Sequence, residues 1–169
     1  MAASRTVRRA AGATQLALLM CCGCTNVDTT VDPGANFSIP NVSFDQDYFY
    51  CHVEPELVVA KRCGPGDPAV DSPNSCHFTA SAVSGMALQD HSPVDCGGGD
   101  HPVSLSQVGT GGAAQANFEA VSLEMSKNYL SAPVYVRPSG SGGVLYHPRQ
   151  IFAPDDPAVN ALLATWASK

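Results

Sequence analysis

A chain of 169 residues has room for one ordinary domain and a short extension. Apolar residues make up 44% and charged residues 14%, which allows a core and excludes a coiled coil or a highly charged disordered tail. Nine Lys and Arg against fifteen Asp and Glu give a formal charge of -6, the wrong sign for a protein that wraps phosphate backbones, so no nucleic acid partner is expected. Gly and Pro are plentiful, at 15 and 13 residues, and predict long loops joining few regular elements.

Arg5, Arg8 and Arg9 precede an apolar run from Ala10 to Gly23 broken only by Thr14 and Gln15, the layout of an export signal. The run is too short to cross a bilayer as a permanent helix. It ends in Leu19-Met20-Cys21-Cys22-Gly23-Cys24, which resembles a bacterial lipoprotein box with Gly23 before the acceptor Cys24, although Cys21 stands where that box usually has Leu. Residues 1–24 therefore read as a signal peptide with a lipobox and Cys24 as the lipidation site; ordinary cleavage without lipidation is the alternative. Two acyl chains on one residue suffice for a stable membrane anchor. The expected location is the bacterial cell envelope, periplasmic or at the outer membrane. Removing residues 1–24 takes away three cations and no acid, leaving six Lys and Arg against fifteen acids, a net of -9. Cys51, Cys63, Cys76 and Cys96 remain, and in an oxidising compartment they fit two disulfides in one of three pairings, or one disulfide with two cysteines used elsewhere.

Residues 25–44 are polar and carry Pro33, Gly34 and Pro40, a flexible tether. The folded domain is expected over residues 45–169. Asp45 or Asp47 can cap a helix reaching Arg62, in which Phe49, Val53, Leu57 and Ala60 recur at helical spacing and Pro55 sits early or bends it. Gly64 to Asn74 holds two Gly, three Pro and two Asp and must be a loop, bracketed by Cys63 and Cys76. Phe78 to Leu88 reads as a helical turn or two, and Gln89 to Gln115 as a long irregular segment. Ala116 to Leu130 predicts a helix carrying Phe118, Val121, Leu123 and Met125, and Pro133 to Pro138 an extended Val-Tyr-Val piece before a turn at Gly140 to Gly143. Asp155 or Asp156 caps a last helix with Pro157 in its first turn and Val159, Leu162, Leu163 and Trp166 on one buried face. Trp166 is expected in the core.

No nucleophile elbow, zinc-protease motif or phosphate-binding loop is present, and no substrate turnover is expected. Gly109-Thr110-Gly111-Gly112 lacks a preceding strand and reads as a turn. Cys-His occurs twice, at Cys51-His52 and Cys76-His77, with Cys63 upstream of the second. Covalent haem attachment needs two thiols for the two vinyl groups on one porphyrin edge and a His to ligate the iron, which Cys63, Cys76 and His77 can supply. The usual spacing is Cys-x-x-Cys-His, whereas twelve residues separate Cys63 from Cys76 here. A closure cost that grows by only about 0.6 kcal/mol per doubling of loop length permits this. Alternatively a disulfide joins Cys63 to Cys76 and a second joins Cys51 to Cys96. A zinc cluster of Cys51, His52, Cys63, Cys76 and His77 matches no common zinc module.

Taken in order, Glu54-Pro55-Glu56-Leu57 ahead of Cys63, Cys76-His77, a long irregular middle, Pro133-Val134-Tyr135-Val136-Arg137-Pro138, His147, Phe152 and a capped helix ending near Trp166 resemble exported cytochrome c-like domains. The likeness is to the planctomycete-type group and related bacterial lipoproteins, over about residues 45–168. The resemblance implies a mainly α fold, a small cytochrome c-like helical domain with long irregular loops. It implies Cys63 and Cys76 as attachment sites for haem c and His77 as proximal ligand. For the distal ligand it leaves Met125 or His147, with Met86 closer to His77 than expected, and it leaves Cys51 and Cys96 to pair. The function implied is electron transfer by a membrane-anchored envelope lipoprotein whose acidic surface selects basic redox partner proteins. A haem-free, disulfide-stapled binding or structural module of the same fold is the alternative.

Overall fold

The computed structural model describes residues 42–72, 76–83, 85–141, 143 and 147–169. The expected signal peptide, its lipidation site Cys24 and residues 25–41 of the tether lie outside the described residues. Helix α1 spans Gln46–Tyr48, its first turn closed by the Asp45 carboxylate, which accepts from the Tyr48 amide at 2.9 Å. It runs directly into a π-helix, Phe49–Ala60, with Pro55 inside. A proline ring crowds the carbonyl four residues back and donates no hydrogen bond; the wider winding of a π-helix gives that carbonyl clearance. The buried positions are adjacent pairs four residues apart, Phe49 with Tyr50, Val53 with Glu54 and Leu57 with Val58. Ala60, expected on that face, is exposed, because the winding is wider than the spacing of an α-helix assumes.

Short 3₁₀ turns follow at Ala80–Ala82 and Leu105–Gln107, within the long irregular middle that the sequence predicts. Helix α2 is Ala113–Leu123, followed by a 3₁₀ turn at Tyr129–Ser131. It starts and stops earlier than the predicted Ala116 to Leu130, and Leu123, expected among its apolar positions, is exposed at its end. Pro133 to Pro138 is not extended. It lies in α3, Pro133–Ser139, which starts on Pro133 in its first turn and stops at Gly140, left-handed at φ 72°. The strand preference of Val-Tyr-Val yields to a proline start and a glycine stop. Helix α4, Pro157–Ser168, is capped by Asp156, whose carboxylate accepts from the Ala158 and Val159 amides at 3.0 and 3.2 Å. The other oxygen of Asp156 pairs with Lys61 at 2.7 Å and ties α4 to the end of the π-helix. The domain is mainly helical, with no strand among the described residues, and no described helix is long and apolar enough to cross a membrane.

Trp166 is fully buried, as the amphipathic pattern of α4 requires. Its ring lies 5.1 Å from Phe44, 5.5 Å from Phe49 and 6.4 Å from Phe118, and its indole N–H donates to the Asp45 carbonyl at 3.0 Å. One side chain thus joins α4, α2 and the start of α1. On the other side of the π-helix the segment from Gln89 to Val103 is strapped down. Cys51 and Cys96 form a disulfide, His52 pairs with Asp100 and His101 with Asp47, each at 2.7 Å. Nearer the core, buried Glu54 accepts from Asn117 at 2.7 Å and lies 2.9 Å from His91, while Asn117 also pairs with the Gln89 backbone through both of its amide atoms.

Trp166→Ala is expected to cost about 3–5 kcal/mol, read from urea unfolding. Burial alone would lower the His91 value, but the Ser92 carbonyl and Glu54 outweigh it and hold His91 above the usual histidine range. A group raised on folding stabilises fully below its unfolded value of about 6.5. That stabilisation is lost as pH rises through the folded value. The urea midpoint is therefore expected to fall between neutral and mildly alkaline pH, and His91→Gln to flatten that slope.

Candidate functional site: two anchored imidazoles over an apolar cleft

The site is built where the π-helix ends. Arg62 follows it in the left-handed region at φ 62°, a conformation that costs a non-glycine residue about 1–2 kcal/mol. Its side chain closes the turn by donating to the Gly66 carbonyl at 2.7 Å. The Gly64 amide donates back to Val58 at 3.0 Å, which folds Cys63 inward until it is 7% exposed. Burial pushes the Cys63 thiol up to about 12, with nearby Cys76 adding to the rise and Arg149 and Lys61 opposing it. A thiol so displaced is protonated and inert in the folded protein.

The long spacing between the two cysteines closes on itself. The His77 amide donates to the Cys63 carbonyl at 3.3 Å and the Phe78 amide to the Gly64 carbonyl at 3.0 Å, so the two ends of the loop between the cysteines are zipped together. No disulfide joins Cys63 to Cys76. Two glycines make the fit. A Cβ on Gly64 would stand 2.5 Å from the Phe78 ring, and Gly66, at φ 75°, would place one 2.7 Å from the Cys76 sulfur.

Beyond this junction His77 and His147 line one cleft with Leu57, Val58, Cys63, Met86, Val121, Pro133, Val134 and Pro138. Glu124 and Arg137, 3.4 Å apart, supply the other polar groups of the lining and offset each other. His77 Nδ1 lies 2.6 Å from the Met86 carbonyl and His147 Nδ1 lies 2.5 Å from the Arg149 carbonyl. A carbonyl only accepts, so in each ring Nδ1 carries the proton, and a neutral ring presents its lone pair at Nε2. Burial holds His77 below the usual histidine range and His147 pushes the same way, against the Met86 carbonyl and Glu124. His77 is therefore neutral at pH 7, as a metal ligand must be.

The ring centres are 6.3 Å apart and the planes 21° from parallel. An imidazole nitrogen sits about 2 Å from a metal it ligates and about 1 Å from its own ring centre, so two rings sharing one ion across it have centres about 6 Å apart. Among the described residues no group of three or more His, Cys, Asp or Glu is placed to hold a metal ion. Cys51, spent in the disulfide, cannot join the zinc cluster considered above. Two imidazoles with no third His, Cys, Asp or Glu grouped with them among the described residues suit an iron that brings its own four equatorial nitrogens better than a tetrahedral centre. The donor set thus fits haem. The cleft holds about 540 Å³ of space between its atoms, solvent-open mouth included, and about 60 Å³ of it admits the centre of a water molecule. A porphyrin is larger than the enclosed part of this space, so the cleft would have to widen to seat one.

Of the sequence-predicted ligands, His77, His147 and Cys63 meet at this cleft, and Cys76 lies at the same junction. Met125 is buried in the core and does not line the cleft, whereas Met86 does. Asp71 and Arg149 carry no motif and escape sequence reasoning. The chain matches no protein-family model, no curated protein and no solved structure.

Gly66→Ala is expected to cost about 1–3 kcal/mol, through backbone strain and the collision with Cys76. Urea unfolding checks this, with Gly109→Ala, which meets nothing, as the control.

Proposed function

We propose that this domain is a one-electron carrier of the bacterial envelope, tethered through Cys24, that holds haem c by thioethers at Cys63 and Cys76 with His77 and His147 as axial ligands. What carries the reading is the pair of imidazoles with carbonyl-anchored Nδ1 atoms and ring centres 6.3 Å apart. Haem supplies a reversible one-electron Fe(III)/Fe(II) couple when bound. Cys63 and Cys76 would hold it covalently, each thiol adding across a vinyl C=C with sulfur on one carbon and the proton on the other, without net oxidation. His77 and His147 would ligate its iron, each ring held by its Nδ1 bond to a backbone carbonyl. The walls formed by Leu57, Val58, Val121 and Val134, all buried, keep water from the ring and favour the less charged oxidation state. The surplus of acids beyond residue 24, at fifteen against six cations, favours a partner with a basic docking face.

The test is export of the protein alongside a cytochrome maturation system, followed by absorption spectroscopy. A Soret band that survives denaturation and acid-acetone extraction is the expected result. A colourless product in which mass spectrometry finds Cys63 crosslinked to Cys76 overturns the reading in favour of a haem-free module.

A further inference from the structure

The loop inserted between the two cysteines holds a carboxylate that the haem reading does not use. Asp71 is 11% exposed at its side chain, and both of its oxygens are engaged. One accepts from the Arg149 Nε at 2.7 Å. The other accepts from the Asp67 amide at 2.5 Å and from the Cys76 sulfur at 3.6 Å. Arg149 in turn is used at both ends. Its guanidinium holds Asp71, and its backbone carbonyl takes the proton of His147 Nδ1.

We infer that Asp71 is a positioning residue for His147, acting through Arg149, so that the inserted loop serves as the clamp that sets the second imidazole over the cleft. This rests on the haem reading for its consequence at iron, but the chain of contacts is independent of any cofactor. Arg149 donates through Nε to one carboxylate oxygen, a charge-assisted hydrogen bond. That anchor restrains the residue whose carbonyl, two positions beyond His147, holds the imidazole through Nδ1 at the cleft. The loop that bears His147 otherwise leans on Gln150, whose side-chain amide bonds the Ser139 and Phe152 carbonyls, and on the Ile151 amide, which donates to Pro138. These bonds hold the strand of chain after Arg149. None of them orients the ring.

The experiment uses Asp71→Asn, Asp71→Glu and, as a positive control, His147→Ala, each in the full chain. In haem-loaded protein the parent is expected to be six-coordinate and low-spin. Asp71→Asn is expected to raise the high-spin fraction at least several-fold, with low spin restored by added imidazole as in His147→Ala, while Asp71→Glu stays close to the parent. In the haem-free protein, 15N NMR of the imidazoles is expected to find His147 fixed with its proton on Nδ1, and Asp71→Asn to return it to a mixture of tautomers. Asp71→Asn that leaves both the spin state and the His147 tautomer unchanged overturns the inference, even if it lowers the melting temperature. A colourless parent removes the haem reading alone, and the NMR arm then decides the role of Asp71.

Discussion

The structure depends, at its working end, on two backbone carbonyls. Met86 and Arg149 each take the Nδ1 proton of a histidine, and by doing so they decide the tautomer, the ring orientation and the atom left to bind. A side chain on a surface loop would otherwise sample several rotamers at a cost of up to about 2 kcal/mol when ordered by a ligand. Here that cost is met within the fold, by loops that are themselves pinned: His77 follows the zipped ends of the inserted loop, and its own carbonyl accepts from the Leu88 amide at 2.8 Å, which brings Met86 round to the ring. His147 depends on Arg149, and Arg149 on Asp71. Two imidazoles far apart in sequence therefore reach the same cleft through short local circuits.

The helical scaffold explains why such circuits stay put. Trp166 locks α4 against Phe44, Phe49 and Phe118, so the first face of the π-helix is committed to the core. The Cys51–Cys96 disulfide and the histidine–carboxylate pairs cover another. Leu57 and Val58, in its last turn, are what remains to wall the cleft. The π winding carries this division, because it presents residues as adjacent pairs: Tyr50 and Glu54 turn toward Gln115 and Asn117, while Phe49 and Val53 stay in the core.

What the sequence could disclose follows from the range of each interaction. The cap at Asp156, the apolar face of α4 and the buried Trp166 were legible because capping and amphipathicity are local patterns. The loop between Cys63 and Cys76 was legible from its Gly and Pro content. The helix at Pro133–Ser139 was not, since a Val-Tyr-Val core argues for a strand and only the bounding Pro133 and Gly140 argue otherwise. The π winding leaves no mark in the spacing of Phe49, Val53 and Leu57, since an α-helix also places apolar residues four apart, and of the predicted face Ala60 alone departs from it. At the site, Cys-His dipeptides marked His77, but nothing local separated His147 from Met125 as its companion. That choice depends on which of them faces the cleft, a matter of tertiary packing. Asp71 and Arg149 are one acid and one base among many, and their pairing across the fold leaves no trace in spacing.

The state of Cys63 orders the events by which the cleft could be filled. In the folded protein its thiol is buried and pushed up to about 12, so neither addition to a vinyl group nor exchange into a disulfide proceeds there at neutral pH through a thiolate. Both kinds of bond compete instead in the open chain, before Gly64 and Phe78 close the loop. Either bond has to offset the entropy of closing a loop of this length. Local opening of the junction between Cys63 and Phe78 is the step that exposes the Cys63 sulfur.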